Sequence, residues 1–158
     1  MKEETVSLRV PALPDYLALV RMVIAGTARI DPLLDDERVD DLRVIVSEAC
    51  TNAIEALRLR AEGQGLDPME VGATIAIECR LSESRVEVVI TDEGGGFDPD
   101  GLEALPAVTD PSRLRIERGL GIPLIRALSD ESEITSGPEG TRVRVVLVAE
   151  PAGTPTPG

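Results

Sequence analysis

One apolar stripe along residues 38–60 constrains the fold of this chain more than any other feature. Its members stand three or four positions apart and are Val39, Leu42, Val46, Ala49, Ala53 and Leu57. That spacing predicts a long α-helix with one buried side. Such a helix needs a second layer to cover its stripe. The core must be aliphatic, because the chain has one Phe, one Tyr and no Trp.

Alternating apolar and polar residues supply that second layer. They predict strands over residues 5–10, 73–80, 85–91, 131–136 and 141–149. Two more helices are predicted, over 16–30 with Asp15 as its N-cap and over 119–129. This order favours helices packed on one face of a mostly antiparallel, mixed sheet, in an α/β (α+β) two-layer arrangement.

Two segments show neither the helical nor the strand spacing of apolar residues. Residues 95–117 contain Gly, Pro and Asp and are predicted to form a long loop or lid. Residues 150–158 are rich in Pro and Gly and are predicted to be a disordered tail. The rest, residues 1–149, is predicted to be a single domain.

Charge and composition exclude several classes of function. The net charge is −13, and the single lysine is Lys2, so a nucleic-acid partner is not expected. A basic protein partner fits this charge, although a charge that serves only solubility fits it too. The absence of histidine excludes Ser-His-Asp triads and histidine metal ligands. Neither a signal region nor an apolar run of about 20 residues is present, so no membrane association is expected.

The two cysteines, Cys50 and Cys79, lie far apart in apolar stretches. They are predicted to be reduced core residues of a cytoplasmic protein rather than a disulfide or a metal site.

Glu48 and Asn52 form the first candidate site. They are four positions apart in the predicted helix, so they share a face. The amide oxygen of Asn52 suits Mg²⁺, which keeps several waters and needs few protein ligands. Glu48 can accept a proton from an attacking hydroxyl or water. The alternative is a solvated Glu beside an Asn that has no ligand.

Asp92 precedes three glycines at the end of a predicted strand. Its carboxylate can accept the exocyclic amine of adenine, and Gly94 and Gly96 would let the backbone approach the ring because they lack a Cβ. The alternative is a hairpin turn, in which Asp and Gly are common.

Gly119, Leu120 and Gly121 begin a predicted helix, whose free N–H groups suit a phosphate. Arg113, Arg115 and Arg118 come just before them and are candidates to neutralise phosphate charge. The alternatives are a flexible helix start and, for Arg113 and Arg115, a solvated loop.

Taken together, these segments resemble the motifs of the histidine-kinase-like (GHKL) ATPases. Residues 47–54 are similar to the N box, 92–97 to the first glycine box and 119–121 to the second. Gly140-Thr141 and the strand after it resemble the final motif. Within that superfamily the chain looks most like the anti-sigma factor serine/threonine kinases, over residues 5–149.

This resemblance implies a Bergerat-type fold that binds ATP and Mg²⁺. It implies that Asn52 is a Mg²⁺ ligand, that Glu48 is the catalytic base and that Asp92 binds adenine. It also implies that Gly94, Gly96, Gly119, Leu120 and Gly121 line the pocket. Arg118 would bind phosphate, and Thr141 would lie near the adenine base.

The same resemblance implies that the protein phosphorylates a small antagonist protein and sequesters a sigma factor as a homodimer. Arg21 matches a partner-contacting position. An ATP-dependent binding switch with little or no turnover is the alternative function. The catalytic half of a histidine kinase is a third, which would need a separate phosphoacceptor chain.

Two departures from the family pattern stand close together. Many relatives have a His soon after the N-box Asn, where this chain has Ala56-Leu57-Arg58, and the segment 58–72 is longer than usual. Both changes could alter the partner surface.

Overall fold

The computed structural model describes residues 3–30, 33–93, 121–137 and 140–149. Within them, five strands form one sheet in the order β1-β2-β3-β5-β4. The strands are β1 (Glu4–Pro11), β2 (Thr74–Leu81), β3 (Arg85–Glu93), β4 (Glu131–Gly137) and β5 (Gly140–Val148). All four pairings are antiparallel. The α/β fold class is confirmed, while the parallel pairing that a mixed sheet would contain is not found among the described strands.

The helices of the described residues are α1 (Leu17–Ala28), α2 (Asp36–Gly63) and α3 (Gly121–Leu128). Helix α2 begins where Asp35 accepts a hydrogen bond from the N–H of Arg38 at 2.8 Å, and acids follow in its first turn. It extends beyond the predicted range of 38–60 at both ends.

The predicted N-cap of the first helix is wrong. Asp15 lies inside a 3₁₀ turn, Pro14–Tyr16, which leads directly into α1. Tyr16 occupies the N-cap position of α1, and no side chain caps either helix. Pro14 explains the turn, because its fixed φ suits the first helical position and starts the 3₁₀ segment one residue before Asp15.

The core lies between the helices and one face of the sheet. All six residues of the α2 stripe are buried, and on β3 the alternating Val86, Val88 and Ile90 are buried as well. Each Val, Leu or Ile among them contributes about 1.5–3 kcal/mol when it is fully buried. Cys50 and Cys79 are free thiols in this core, as predicted, and burial raises the pKa of each to about 12.

The pleat of β3 brings one polar group into this core. Side chains two residues apart share a face of a strand. Asp92 therefore continues the buried row that starts at Val86, in the place where another aliphatic residue would complete the core.

Arg38 fixes the far end of α3. Its guanidinium donates to the backbone oxygen of Leu128 at 3.0 Å and pairs with Asp130, whose carboxylate also accepts the N–H of Val148 at 2.7 Å. The start of α2, the end of α3 and the end of β5 are thereby held together.

None of the described helices is both long and apolar enough to cross a membrane. The predicted lid at 95–117 and the predicted tail at 150–158 lie outside the described residues.

Candidate functional site

Asp92 is almost fully enclosed near the end of β3. The residue is only 2% exposed, and its backbone position pairs across the sheet with Ile75 on β2. The N–H of Thr141, at the start of β5, donates to Oδ1 at 2.9 Å. Oδ2 is buried without a hydrogen-bond partner in the described part of the chain. A buried acceptor of this kind is costly unless a ligand or water satisfies it.

Three influences act on the charge of Asp92. Burial raises the pKa of this carboxyl above its ordinary value, because it disfavours the charged form. The hydrogen bonds from Thr141 and the positive charge of Arg60 lower the pKa and offset part of that rise. The charge of the Asp92 carboxyl therefore depends on its neighbours in the protein.

Gly140 makes the approach of β5 to Asp92 possible. Its φ is +127°, a conformation that residues with a Cβ rarely adopt. A Cβ at this position would overlap Asp92 Oδ1 and lie 2.8 Å from its backbone oxygen. The sequence placed Gly140 between two predicted strands and in the final motif, but it gave no signal of this approach to Asp92.

Glu48 and Asn52 are half-buried on α2, and both lie against the first described residue of α3. A Cβ at Gly121 would come within 2.9 Å of Asn52 Nδ2 and 3.0 Å of Glu48 Oε2. The structure thus brings together an acid and an amide of α2 and the first described residue of α3, from segments about 70 positions apart.

Arg60 is a residue of this region that sequence reasoning missed. It lies on α2 eight positions after Asn52, which is about 12 Å along the helix axis. It is only 8% exposed, and its Nε is buried without a partner among the described residues. The one available signal was an arginine between the apolar positions Leu57 and Ala61, which predicts a cation on the buried side of α2.

Helix α2 therefore carries two groups of polar residues. Glu48 and Asn52 lie near Gly121, and Arg60, about two turns further along the helix, lowers the pKa of Asp92.

Arg21 is exposed on α1. Its guanidinium donates to the hydroxyl of Ser47 at 3.1 Å, so it lies beside the residue that precedes Glu48. Met22, next to it, is 71% exposed, and Val44, one turn before Ser47 on α2, is 39% exposed.

The remaining site residues predicted from the sequence lie outside the described residues. They are Gly94, Gly96, Arg118, Gly119 and Leu120, together with Arg113 and Arg115. Among the residues that are described, no group of three or more His, Cys, Asp or Glu side chains could hold a metal ion. A Mg²⁺ ion on Asn52 would therefore need ligands from outside this set, such as phosphate oxygens and water.

Comparison with known proteins decides the family. Residues 10–147 match the family model of the histidine kinase-like ATPase domain. The chain belongs to this family. The resemblance drawn from the glycine-rich and acid–amide motifs is thereby confirmed.

Similar curated members of this ATPase family share one name, serine-protein kinase RsbW. The protein of Halalkalibacterium halodurans is 32% identical over 135 residues, which cover 83% of this chain and 75% of the relative. The protein of Bacillus pumilus is 30% identical over 134 residues, 83% of this chain and 78% of the relative. The protein of Bacillus velezensis is 32% identical over 135 residues, with coverage of 83% and 78%.

Proposed function

We propose that this protein is an ATP-dependent serine/threonine protein kinase that phosphorylates a small antagonist protein and sequesters a sigma factor. The observation that carries the proposal is the convergence of Glu48 and Asn52 on Gly121 at the start of α3. Membership of the histidine kinase-like ATPase family and similarity to proteins named serine-protein kinase support it.

The adenine ring of ATP is assigned to the neighbourhood of Asp92. The free Oδ2 accepts the exocyclic amine of adenine, and this contact removes the cost of an unpaired buried acceptor. Thr141 holds the other carboxylate oxygen in place. Gly94 and Gly96 are proposed to let the chain approach the ring.

The phosphates of ATP are assigned to the neighbourhood of Gly121. Asn52 is proposed to offer its amide oxygen to Mg²⁺, which neutralises charge on the phosphates when it is bound. The backbone of Gly119, Leu120 and Gly121 is proposed to bind phosphate oxygens through the helix start, and Arg118 to pair with them.

Glu48 is proposed to be the catalytic base. It accepts the proton of a serine or threonine hydroxyl while the hydroxyl oxygen forms a bond to the γ-phosphorus of ATP. The bond from that phosphorus to the bridging oxygen breaks, and ADP leaves. Positioning and electrostatic stabilisation supply most of the rate in such reactions, so the placement of Glu48 matters as much as its basicity.

Protein partners are assigned to the surface around Arg21. Met22 and Val44 expose apolar area beside it, and such area on a charged surface favours a protein contact. The net charge of −13 favours a partner with a basic face. A homodimer and a cytoplasmic location complete the proposal, since sigma factors act in the cytoplasm.

Phosphoryl transfer is the direct test. The protein is incubated with radiolabelled ATP, Mg²⁺ and the antagonist protein that co-purifies with it, and label on the antagonist is measured. Wild type should transfer label, and Glu48→Gln should lower the rate at least about 10²-fold, because proton transfer contributes that much. Glu55→Gln is the matched control, because Glu55 is exposed on the same helix and pairs with Arg58.

The outcomes separate the two functions. Absence of transfer by wild type, with ATP bound and the antagonist present, would contradict the kinase and leave the ATP-dependent binding switch. Equal rates for wild type and Glu48→Gln would contradict the role of Glu48 alone.

The adenine contact has its own test. Asp92→Asn retains an oxygen for the Thr141 N–H but places an amide NH₂ where adenine brings its own donor. We expect ATP binding to weaken by about 1–3 kcal/mol, the usual cost of an unmatched buried polar group. Isothermal titration calorimetry measures it, and unchanged affinity would contradict the assignment.

A further inference from the structure

Helix α3 meets α2 at two points. At Gly121, the first described residue of α3, a Cβ would lie 2.9 Å from Asn52 Nδ2 and 3.0 Å from Glu48 Oε2. At Leu128, the last residue of α3, the backbone oxygen accepts a hydrogen bond from Arg38 Nη1 at 3.0 Å. Because the earlier residue of α2 meets the end of α3, the two helices run in opposite directions.

Charged groups hold the second contact, which we call the Arg38 link (Arg38, Leu128 and Asp130). The guanidinium of Arg38 pairs with Asp41 on α2 at 3.3 Å and with Asp130, two residues after α3 ends. The carboxylate of Asp130 also accepts the N–H of Val148 on β5 at 2.7 Å. The Leu128 oxygen is one of the last carbonyls of its helix, which have no partner inside the helix. A charged donor therefore satisfies this oxygen and connects α3 to α2.

Ile125 lies between these two points of α3 and is fully buried, so it forms a pivot. Since four residues of a helix span about 6 Å, a tilt of about 10° about Ile125 moves Gly121 by about 1 Å. Such a tilt carries Leu128 in the opposite direction, where it would disturb the hydrogen bond with Arg38. The Arg38 link therefore limits the position of Gly121, although it lies at the other end of the helix.

We propose that Arg38 is a positioning residue for the phosphates of ATP: by holding the far end of α3, it keeps Gly121 at its distance from the acid–amide pair of α2. This inference rests on the proposed function, which assigns the phosphates to the neighbourhood of Gly121 and the adenine ring to that of Asp92. Among the described residues, Arg38 bonds to α2, to Leu128 and to Asp130, whereas Asp92 lies on β3. Loss of the Arg38 link should therefore weaken phosphate binding and spare base binding.

ATP and adenosine separate the two parts of the nucleotide. Adenosine carries the same base and ribose without phosphates, so the ratio of the two affinities measures what the phosphates contribute. A general loosening of the domain lowers both affinities and leaves this ratio unchanged. Isothermal titration calorimetry with Mg²⁺ measures ATP binding, and equilibrium dialysis of radiolabelled adenosine at high protein concentration measures the weaker ligand.

Four variants complete the design. Arg38→Met removes the charged donor and keeps an unbranched side chain. Asp130→Asn keeps an oxygen for the Val148 N–H but removes the charge that pairs with Arg38. The double variant, with both changes, tests whether the two residues act through one link. Arg43→Met is the matched control, because it removes an arginine of the same helix whose exposed pair is with Asp40.

The expected result is a loss that depends on the phosphates. Arg38→Met should weaken ATP binding about tenfold, the lower limit for loss of a hydrogen bond to a charged group, and change adenosine binding less than about twofold. Asp130→Asn should weaken ATP binding in the same direction but less, because the Leu128 oxygen keeps its donor. The double variant should lose no more than Arg38→Met, since the link is already broken. Arg43→Met should bind both ligands like wild type.

Other results would overturn the inference. Equal losses for ATP and adenosine in Arg38→Met show a general structural role, and unchanged ATP binding overturns this inference alone. Additive losses in the double variant show that Arg38 and Asp130 act separately. If Arg38→Met does not fold, Asp130→Asn decides, and ATP binding equal to that of wild type overturns the inference. A wild type that binds ATP but not adenosine contradicts separate base and phosphate sites, and the inference with them. Failure of wild type to bind ATP overturns the proposed function as well.

Discussion

Gly121 shows how one absent methyl group shapes the site. The ends of Asn52 and Glu48 occupy the space that a Cβ on residue 121 would need. Both are flexible side chains on α2, so a larger residue would displace them rather than break the fold. Function and stability are therefore separable at this position.

We expect Gly121→Ala to reduce phosphoryl transfer at least about tenfold, because a displacement of about 1 Å at reacting groups has large effects. The free energy of unfolding should change by less than about 1 kcal/mol, because Ala favours helix and the displaced side chains are half-buried. Gly26→Ala is the control, since nothing lies within 4 Å of its added methyl. Kinase assays and urea unfolding measure the two effects, and equal activity of both variants would contradict the close packing.

The buried carboxyl of Asp92 makes stability depend on pH in a defined direction. Its pKa is raised in the folded protein, mainly by burial, so the folded state holds this proton more tightly than the unfolded state. Its contribution to stability is complete below the ordinary aspartate pKa and is lost as pH rises through the raised pKa.

Asp92→Asn removes this titration. We expect the stability of the variant relative to wild type to increase as pH rises from below the ordinary aspartate range toward neutral. Urea unfolding of both proteins over a pH series measures this difference, in which the other titrating groups cancel. A difference that stays constant with pH would contradict a raised pKa at Asp92.

Helix α3 illustrates how an element as short as eight residues is held in place. Glu48 and Asn52 occupy the space that a Cβ on its first described residue, Gly121, would need, and its last carbonyl oxygen, that of Leu128, accepts a hydrogen bond from Arg38. A helix of this length is marginal by itself, so these contacts and the buried Ile125 fix it. Arg38 thereby stabilises the same helix whose other end forms the site.

We expect Arg38→Met to lower the free energy of unfolding by about 1–2 kcal/mol, because it leaves the Leu128 carbonyl and Asp130 without their charged donor. Arg43→Met removes an exposed pair with Asp40 and should cost less than about 0.5 kcal/mol. Urea unfolding of both variants measures this contrast. Equal losses of unfolding free energy would contradict a stabilising link between α2 and α3 through Arg38.

At the scale of the whole molecule, one aliphatic core joins both layers. Cys50 belongs to α2 and Cys79 to β2, so each reports on a different side of that core. Both thiols are buried, and both have a pKa of about 12, so thiolate is scarce at neutral pH.

We expect both cysteines to resist a thiol reagent in the folded protein and to react together on unfolding. The native rate should be at least about 10³-fold slower than in urea, because a domain stable by about 5 kcal/mol rarely exposes its core. Time-resolved labelling measured by mass spectrometry follows each site. Rapid native labelling of one cysteine would contradict a single core.

The sequence by itself determined the elements, the fold class and the family. Apolar residues recur every three or four positions in the α2 stripe and every second position in the strands. This spacing reflects which side of each element is buried. The motifs at 47–54 and at Gly140-Thr141 identified the family because they combine specific residue types at fixed spacing. Bounds were less certain, as Asp15 shows, because caps depend on backbone geometry that several residues share.

Only the tertiary structure decided which residues meet. Nothing local to Gly140 indicates that its missing Cβ makes room for Asp92. In the same way, the approach of Asn52 to Gly121 joins residues that lie far apart in sequence. Such contacts depend on how α2 crosses the sheet and on how β5 pairs with β3, and packing of the whole core sets both.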